Sequence, residues 1–390
     1  MLKAIKYLLS PKVVPSPTEP LSILPAGELA LKKAIAVADA SEYLEMMVSL
    51  GIPSDIAERV VRLDINDTQG AEVALMSCYG RLQYLQAAGL FAAAGVQRQI
   101  GFKSSPPIDM TSLSVLGAMV MKPLLSEQQV LETVAYFRTC PVYNGHVPEA
   151  SADRVGRYLG KGAEEYPFGS YSTGDVAAAP HLIESVLSPE ILSLAEAHLG
   201  CAPTLVALQA WWNFSEHRDN GVRDVTGSTT SYAPQNYHRD LNDFRMFWIY
   251  MYLTDVDEHC GPHQVLALSG DFAEIQRRGE SLQDFDPQGL FYQYGYQIPY
   301  QTMGEIFGDT EQTFVGKAGS TFLSNGFNFH RIHYPLKKPR LMFAARFSVH
   351  PSRHDRNKLV DGIISGESVA GRLKQSSLLR YVTRQIIDWS

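Results

Sequence analysis

The chain contains two copies of a His-x-Asp tripeptide, His217/Asp219 and His238/Asp240. In an extended strand, residues two apart point to the same side, so an imidazole and a carboxylate at this spacing can bind one metal ion together. A motif this short also occurs by chance. The surrounding sequence must therefore decide between the two copies.

The two copies differ in what surrounds them. His217 lies in "NFSEHRDNGVRDVTGSTTS", which is polar, contains glycine and predicts a surface loop. His238 is followed by "FRMFWIYMYL", a strongly apolar run that predicts a rigid strand. An extended segment here puts His238 and Asp240 on one side, and Arg239 faces away. We therefore predict that His238 and Asp240 are the metal ligands.

A third ligand and a cation follow later in the chain. His330, in "NGFNFHRIHYP", comes after an apparent strand and a turn, and its rival His333 points to the opposite face of an extended segment. Two imidazoles and one carboxylate are the facial triad of non-haem Fe(II) oxygenases, which leaves three coordination positions open. Arg340 follows ten residues after His330. Its planar guanidinium can bind a carboxylate through two hydrogen bonds.

The region that must position these residues has the pattern of a β fold. From residue 203 onward, short aromatic and aliphatic runs alternate with Gly, Asp and Pro and predict strands; they are "TLVALQAWWNF", "FRMFWIYMYL", "HQVLAL", "STFLSN" and "LMFAARFSV". Few helical patterns recur between them, which favours an antiparallel sandwich or jelly roll over a parallel α/β sheet. The predicted fold class is mainly β with flanking helices (α+β).

Helices are predicted around this β region. Ser126 with Gln129 makes a capping box that starts a helix through about Arg138. Pro189 is at the favoured first position of another helix, which ends before Gly200. A last helix is predicted over 368–388. The tyrosine-rich segment 280–312 is expected to be a long irregular loop of the kind that often sets specificity.

The chain divides into two regions by pattern. Residues 1–110 predict an accessory N-terminal helical region, and residues 111–390 predict the jelly-roll domain with its flanking helices. The four cysteines are far apart, form no Cys-x-x-Cys pair and read as reduced thiols. No apolar run is long enough to span a membrane, so we expect a cytoplasmic protein. The net charge of −7 argues against a nucleic-acid partner. The oligomeric state stays open, a homodimer included.

Three stretches together resemble a known family. They are "LGCAPTLVALQAWWN", "YHRDLNDFRMFWIYMYLTDVDEHCGPHQVLALSG" and "FHRIHYPLKKPRL". The region 125–350 resembles the phytanoyl-CoA dioxygenase-like family of Fe(II)/2-oxoglutarate-dependent oxygenases. The resemblance implies a double-stranded β-helix, the cupin-like jelly roll. One departure is "ALSGD" where the family has Gly-Ser-His, which concerns the shape of a loop and no metal ligand.

The resemblance also implies roles for particular residues. It implies His238, Asp240 and His330 as the iron ligands of the catalytic centre. It implies Arg340 as the partner of the C5 carboxylate of 2-oxoglutarate and places Tyr250 near that co-substrate. The implied cofactors are Fe(II), 2-oxoglutarate and O2. A carboxylate at position 240 implies oxygenation rather than halogenation.

The expected reaction is oxidation of a C–H bond of a small organic or natural-product substrate, as in secondary metabolism. Hydroxylation, desaturation and epoxidation all fit, with release of succinate and CO2. Four aromatic residues are candidates to line the substrate site, namely Trp211, Trp212, Phe244 and Phe329. An alternative is a non-catalytic or 2-oxoglutarate-independent, cupin-like metal-binding protein. Arg340 counts against it, because such a protein needs no co-substrate anchor.

Overall fold

The computed structural model describes most of the second region of the chain. The described residues are 110–145, 155–166, 168–199, 203–214, 237–240, 246–280, 282, 300–332, 335–348, 360–361, 373, 376–383 and 385–388. The predicted helical region 1–110 therefore lies outside the described residues, apart from Met110. The loop around His217, Phe244 and the rival His333 lie outside them as well.

The described residues include eight α-helices around the strands. They are α1 Met110–Leu116, α2 Glu127–Phe137, α3 Thr173–Ala178, α4 Leu182–Val186, α5 Pro189–Leu199, α6 Phe272–Gly279, α7 Tyr300–Phe307 and α8 Ser377–Thr383. Two short 3-10 turns cover Ala163–Glu165 and Gly308–Thr310. None of the helices in the described ranges has the length and apolar character needed to cross a bilayer.

The strands carry most of the architecture. They are β1 Ala118–Met121, β2 Tyr143–Asn144, β3 Phe168–Ser170, β4 Thr204–Asn213, β5 Met246–Tyr252, β6 His263–Leu266, β7 Glu311–Phe314, β8 Thr321–Ser324, β9 His330–Ile332, β10 Arg340–Ser348, β11 Val360–Asp361 and β12 Ile387–Asp388. All five runs that the sequence predicts to be strands contain one of them.

Two helix starts agree with the local sequence signals. The Ser126 side chain accepts from the Gln129 amide and the Gln129 side chain accepts from the Ser126 amide, so the predicted capping box is confirmed at α2. Pro189 opens α5, which ends at Leu199. These signals are reliable because the first turn of a helix has amides that need acceptors nearby in the sequence.

Ten of these strands form two antiparallel sheets that pack face to face. The larger sheet has the order β1-β8-β5-β10-β4-β3-β2, and the smaller has the order β7-β6-β9. A bridge between His238 and His330 adds the short segment 237–238 beside β9. If the segment 237–238 is counted as a strand of the smaller sheet between β4 and β5, the chain from β4 to β10 passes between the sheets at every step except β6 to β7. This alternation is a jelly roll, so the predicted fold class is confirmed.

Both faces of the central strands of the larger sheet are buried, and alternation along each strand separates the two faces. The inner face looks towards the smaller sheet and carries Trp211, Trp248, Tyr250, Tyr252, Phe322 and Met342. The outer face packs against helices and carries Leu208, Trp212, Phe247, Ile249, Met251 and Phe343. Phe314 of the smaller sheet stacks on Phe322 with ring centroids 4.7 Å apart, which closes the interior between the two sheets.

Two of the predicted elements are wrong in part. Within 280–312, residues 300–312 are regular, since α7, a 3-10 turn and the start of β7 follow one another. The predicted helix 368–388 does not extend to its end, because α8 stops at Thr383 and β12 pairs in parallel with β11. Ile386 and Ile387 are buried, and β-branched side chains at that point favour an extended chain.

Candidate metal centre

The two predicted histidine ligands meet across a β bridge. The His238 amide donates to the His330 carbonyl at 3.0 Å, and the His330 amide donates to the His238 carbonyl at 2.8 Å. The two imidazole rings lie on the same side, with centroids 4.2 Å apart. Residues more than ninety positions apart in the chain are thus held as direct neighbours in one sheet.

Asp240 completes the cluster from the same short segment. Its Oδ1 lies 3.9 Å from His238 Nε2, and its Oδ2 lies 3.8 Å from His330 Nε2. One ligand atom from each of the three residues lies within 4.8 Å of the others. Ligand bonds of about 2.1 Å let one ion join atoms up to about 4.2 Å apart. The two Asp240–His pairs are within this limit, and two nitrogens with one carboxylate are the donor types that bind a divalent metal such as Fe(II).

Arg239, between two of these ligands, points the other way, as the alternation predicts. It is buried, donates from Nη2 to the Ser269 carbonyl at 2.7 Å, and lies over the Phe329 ring at 4.2 Å. The extended conformation of 238–240 thus separates two ligands on the inner side from an anchoring arginine on the outer side.

A hydrogen bond fixes the orientation of the His330 ring. Its Nδ1 lies 2.9 Å from the Asn328 carbonyl oxygen, which can only accept, so Nδ1 carries the proton. Nε2 is then left with its lone pair towards Asp240. Metal-binding histidines commonly have this arrangement, because the second hydrogen bond fixes both the tautomer and the ring orientation.

The turn before His330 is held by a network of side-chain amides. Asn325 Oδ1 accepts from the amides of Phe327 and Asn328, at 2.9 and 3.2 Å. Asn328 Oδ1 accepts from Asn325 Nδ2 at 3.1 Å, and Asn328 Nδ2 donates to the Leu266 carbonyl at 2.9 Å. Neither asparagine was among the residues predicted from the sequence. The two asparagines flanking Gly326 in "SNGFN" were an available signal, since such residues stabilise turns.

Arg340 is a buried cation on the inner face of β10. The whole residue has 0% exposure, and burial lowers its pKa to about 10, so it stays charged at neutral pH. Nη1 donates to the Gly261 carbonyl, and Nη2 donates to Asn213 Oδ1 at 2.5 Å. Nε has no hydrogen-bond partner, and no carboxylate among the described residues offsets the charge. Guanidinium has five N–H donors, so donors remain for an anionic ligand.

The strand β6 connects the Arg340 end of the interior to the triad. Gly261, two residues before β6, accepts from Arg340, and Val265 within β6 pairs with His330. His263 lies halfway between them in the chain, with a side chain on the same inner face as Val265. Its ring centroid is 5.4 Å from that of His330.

Like Arg340, His263 is a buried polar residue of this interior, but it was not predicted from the sequence. Burial, and next the neighbouring charges of His330 and Arg340, hold its pKa well below the usual range for histidine. Both of its ring nitrogens lack hydrogen-bond partners. The sequence contains its signal, because His263 directly follows Gly261-Pro262 at the start of a predicted strand, but the pairing of that strand with β9 was needed to place it.

Tyr250 and Tyr252 face the same interior from β5. The Tyr250 ring stacks on Phe322 at 5.1 Å and is tilted against His263 at 5.0 Å. The Tyr252 hydroxyl donates to the Phe314 carbonyl at 2.8 Å and accepts from the His263 amide at 3.0 Å. Tyr250 therefore lies beside His263, and its role near a co-substrate stays a prediction. Tyr252 connects β5 to β6 and β7 of the smaller sheet.

Three of the four candidate substrate residues are described, and the fold separates them. Trp211 is on the inner face, and its Nε1 donates to Asn213 Oδ1 at 3.1 Å. Trp212 is on the outer face, where its Nε1 donates to the Tyr171 hydroxyl at 2.9 Å. The structure does not bring Trp212 to the triad, because adjacent residues of a strand point to opposite faces.

Phe329 is also turned away from the triad. It is fully buried in a separate cluster beyond the smaller sheet, with Tyr237, Leu266, Ile275, Met303, Ile306 and Phe307. Because it directly precedes His330 in an extended segment, its side chain faces the helices α6 and α7 rather than the interior. Phe244, the fourth candidate, is outside the described residues.

Comparison with solved structures finds distant similarities. SnoN, the non-heme alpha ketoglutarate dependent epimerase from nogalamycin biosynthesis, is 15% identical over 62% of this chain and 84% of its own, with a TM-score of 0.38. HygX from Streptomyces hygroscopicus, with nickel and 2-oxoglutarate bound, is 13% identical over 66% and 91%, with a TM-score of 0.40.

EctD from S. alaskensis, with 2-oxoglutarate and 5-hydroxyectoine, is 13% identical over 67% of this chain and 82% of its own, with a TM-score of 0.40. No protein-family model and no curated protein matches the chain. Similarities this distant do not assign an activity to the chain, and the family implied by its sequence motifs stays a prediction.

Proposed function

We propose that this protein is an Fe(II)- and 2-oxoglutarate-dependent oxygenase of the phytanoyl-CoA dioxygenase-like kind that acts on a small organic or natural-product substrate. The observation that carries the proposal is that a metal-binding type of cluster and a buried cation both face the space between the two sheets. A facial triad of His238, Asp240 and His330 is combined with the buried guanidinium of Arg340, which has no carboxylate partner among the described residues. A cytoplasmic location and a division of the chain near residue 110 belong to the same proposal.

Arg340 supports a co-substrate with a free carboxylate at one end. Burying a charge without an oppositely charged partner lowers the stability of the folded state. Such a charge is easier to explain where a ligand of opposite charge binds to it. A 2-oxoacid with a second, distal carboxylate can bind the metal at one end and Arg340 at the other. The non-catalytic, metal-binding alternative gives this buried cation no role.

The proposed chemistry is an oxidation coupled to decarboxylation. Fe(II), with 2-oxoglutarate and O2, supplies the conversion of a substrate C–H bond to C–OH; one oxygen atom enters the product and the other enters succinate, with loss of CO2. Desaturation or epoxidation are variants of the same oxidation. An aspartate rather than a small residue at position 240 supports oxygenation over halogenation.

The protein's own contribution is to bind, orient and exclude water. Three side chains hold the ion from one side and leave three coordination positions for other ligands. Arg340 fixes the far end of the co-substrate, which sets its orientation. The inner face around this path is aromatic, with Trp248, Tyr250 and Phe322 stacked on one another, and such a lining keeps water low and strengthens electrostatic contacts.

The decisive experiment is anaerobic. Fe(II) and 2-oxoglutarate are added to the purified chain, and the visible charge-transfer absorption of the iron chelate of the 2-oxoacid is recorded. We expect the band in the wild-type protein and its loss in His330→Ala. The exposed His259 is the matched control, since His259→Ala removes an imidazole outside the triad and leaves the band unchanged.

Release of succinate in air, measured against a panel of small metabolites, then identifies the substrate. Absence of the band in correctly folded wild-type protein overturns the proposal. Persistence of the band at full intensity in His330→Ala overturns it as well.

A further inference from the structure

His263 is a histidine in an apolar environment with no visible structural partner. Its side chain is buried, with 1% exposure for the whole residue, and neither ring nitrogen has a hydrogen-bond partner. Aromatic rings surround it: Tyr250 lies 5.0 Å away by ring centroids, Phe322 lies 5.3 Å away, and Phe314 lies 6.4 Å away. Buried polar groups without partners are rare in folded proteins and call for a specific explanation.

Two simpler roles do not fit. His263 is not part of the set of described ligand atoms that lie within 4.8 Å of one another, so it is not a fourth metal ligand in this arrangement. Packing alone does not account for it either. A leucine of similar size would fill the same aromatic surroundings without two buried nitrogens, whose desolvation destabilises the fold.

The position of His263 relates it to both ends of the proposed co-substrate site. On the smaller sheet it is the diagonal neighbour of His330, because Val265 is the residue paired with His330. Two residues before it, Gly261 accepts a hydrogen bond from Arg340. Its amide is held by the Tyr252 hydroxyl at 3.0 Å, which fixes the backbone from which the ring projects. A molecule that reaches from the triad to Arg340 therefore passes the imidazole.

We propose that His263 is a positioning residue that donates a hydrogen bond to a carboxylate oxygen of 2-oxoglutarate bound between the triad and Arg340. This inference rests on the proposed function. A histidine ring carries at least one N–H in any tautomer, and a bond from N–H to a carboxylate is charge-assisted. Bound 2-oxoglutarate would thus supply the acceptor that the N–H of His263 lacks in the protein alone.

Three variants test the proposal under anaerobic conditions. His263→Leu removes both nitrogens and keeps a buried apolar side chain. His263→Gln and His263→Asn keep an N–H donor at the reach of Nε2 or Nδ1. The dissociation constant of 2-oxoglutarate is obtained by titrating the charge-transfer band at saturating Fe(II), and metal affinity is measured separately by Mn(II) titration followed by electron paramagnetic resonance.

We expect His263→Leu to raise the dissociation constant of 2-oxoglutarate by about 10-fold to 100-fold, the loss of one hydrogen bond to a charged group. One of the two amide variants should recover most of that loss. Mn(II) affinity should be unchanged, because His263 is not a ligand. Resistance of the metal-free protein to urea should increase in His263→Leu, since the unpartnered nitrogens are gone.

The outcomes separate the two proposals. If the wild-type protein shows no Fe(II)-dependent binding of 2-oxoglutarate, the proposed function fails and this inference fails with it. If the wild-type protein binds 2-oxoglutarate and His263→Leu binds it equally well, only the role of His263 is overturned. A loss of Mn(II) affinity in His263→Leu also overturns it, because His263 would then act on the triad rather than on the co-substrate.

Discussion

The amide of Asp240 donates a hydrogen bond to the carbonyl oxygen of Gly326 at 2.9 Å. Asp240, the candidate carboxylate ligand, is thereby attached to the turn that precedes His330 by four residues. Gly326 has a φ of +69°, a conformation that glycine adopts readily and other residues adopt at a cost. The spacing between two ligands from distant parts of the chain thus depends on the conformation of one glycine.

Replacing this glycine should disturb both stability and metal binding. A Cβ at position 326 would lie 3.1 Å from Met246 Cε and 3.2 Å from the Trp248 ring, in addition to the backbone strain. We expect Gly326→Ala to lower the free energy of unfolding by about 1–2 kcal/mol and to weaken Mn(II) binding about tenfold or more. Urea unfolding of the metal-free protein and Mn(II) titration measure the two effects.

The matched control is Gly304 in α7. A Cβ there meets no atom within 4 Å, and alanine is favoured over glycine inside a helix. Gly304→Ala should therefore stabilise the protein slightly and leave metal affinity alone. Equal behaviour of the two variants would contradict the role assigned to Gly326.

Arg340 should matter more for ligand binding than for the fold. We expect Arg340→Met to raise the dissociation constant of 2-oxoglutarate by about 100-fold or more, since two charge-assisted hydrogen bonds are lost. The melting temperature of the wild-type protein should rise with Mn(II) and 2-oxoglutarate together, and that ligand-dependent rise should disappear in the variant. Differential scanning fluorimetry measures it directly.

The metal-free Arg340→Met protein should keep most of its stability. Removing an unpaired buried charge offsets the loss of its bonds to Gly261 and Asn213, and Asn213 Oδ1 retains a donor in Trp211. Arg340→Lys keeps the charge but loses the planar guanidinium with its paired N–H donors. Its affinity for 2-oxoglutarate should therefore lie between that of the wild-type protein and that of Arg340→Met. An unchanged affinity in Arg340→Met would remove the main support for a co-substrate.

The two adjacent tryptophans of β4 should respond differently to the same substitution. Trp212→Phe loses the bond to the Tyr171 hydroxyl on the outer face, so we expect a loss of about 1 kcal/mol of stability with no change in 2-oxoglutarate affinity. Trp211→Phe removes a donor from Asn213, which also binds Arg340, and should weaken 2-oxoglutarate binding by a few-fold. A stronger binding defect in Trp212→Phe would contradict the face assignment.

Glu274 on α6 should make stability depend on pH in acid. Hydrogen bonds from Arg277 and Arg278 lower its pKa from 4.5 to about 2. Because the folded state depresses this pKa, its contribution is complete above about pH 4.5 and is lost as the pH falls towards 2. The stability difference between wild type and Glu274→Gln, measured by urea unfolding, should therefore shrink across that interval. A difference that stays constant with pH would contradict this assignment.

Local sequence signals predicted the elements and the chemical types of the site. The capping box at Ser126 and the proline at position 189 act within one helical turn, so they could be read without knowledge of the rest of the chain. The alternation that puts His238 and Asp240 on one side of the chain, with Arg239 on the other, is equally local. Alternation also puts the side chains of Phe329 and His330 on opposite faces of the strand, because the two residues are adjacent. The prediction of Phe329 as a substrate residue did not take this into account.

Which side of a strand faces the interior could not be read in the same way. Every residue of β5 is buried, and nine of the ten residues of β4 are, because helices cover the outer face of the larger sheet. When both faces of a strand carry apolar residues, the sequence shows no alternation of polar and apolar residues. The sequence pattern therefore could not tell which of Trp211 and Trp212 faces the interior.

The sequence by itself determined the residue types of the triad, their order in the chain and the β character of the region that holds them. Only the tertiary structure decided that His238 pairs with His330, that Gly326 holds Asp240, and that His263 lies on the path from His330 to Arg340. The physical reason is that strand pairing joins residues far apart in the chain. The register of a strand pair depends on both strands, and the register decides which side chains become neighbours.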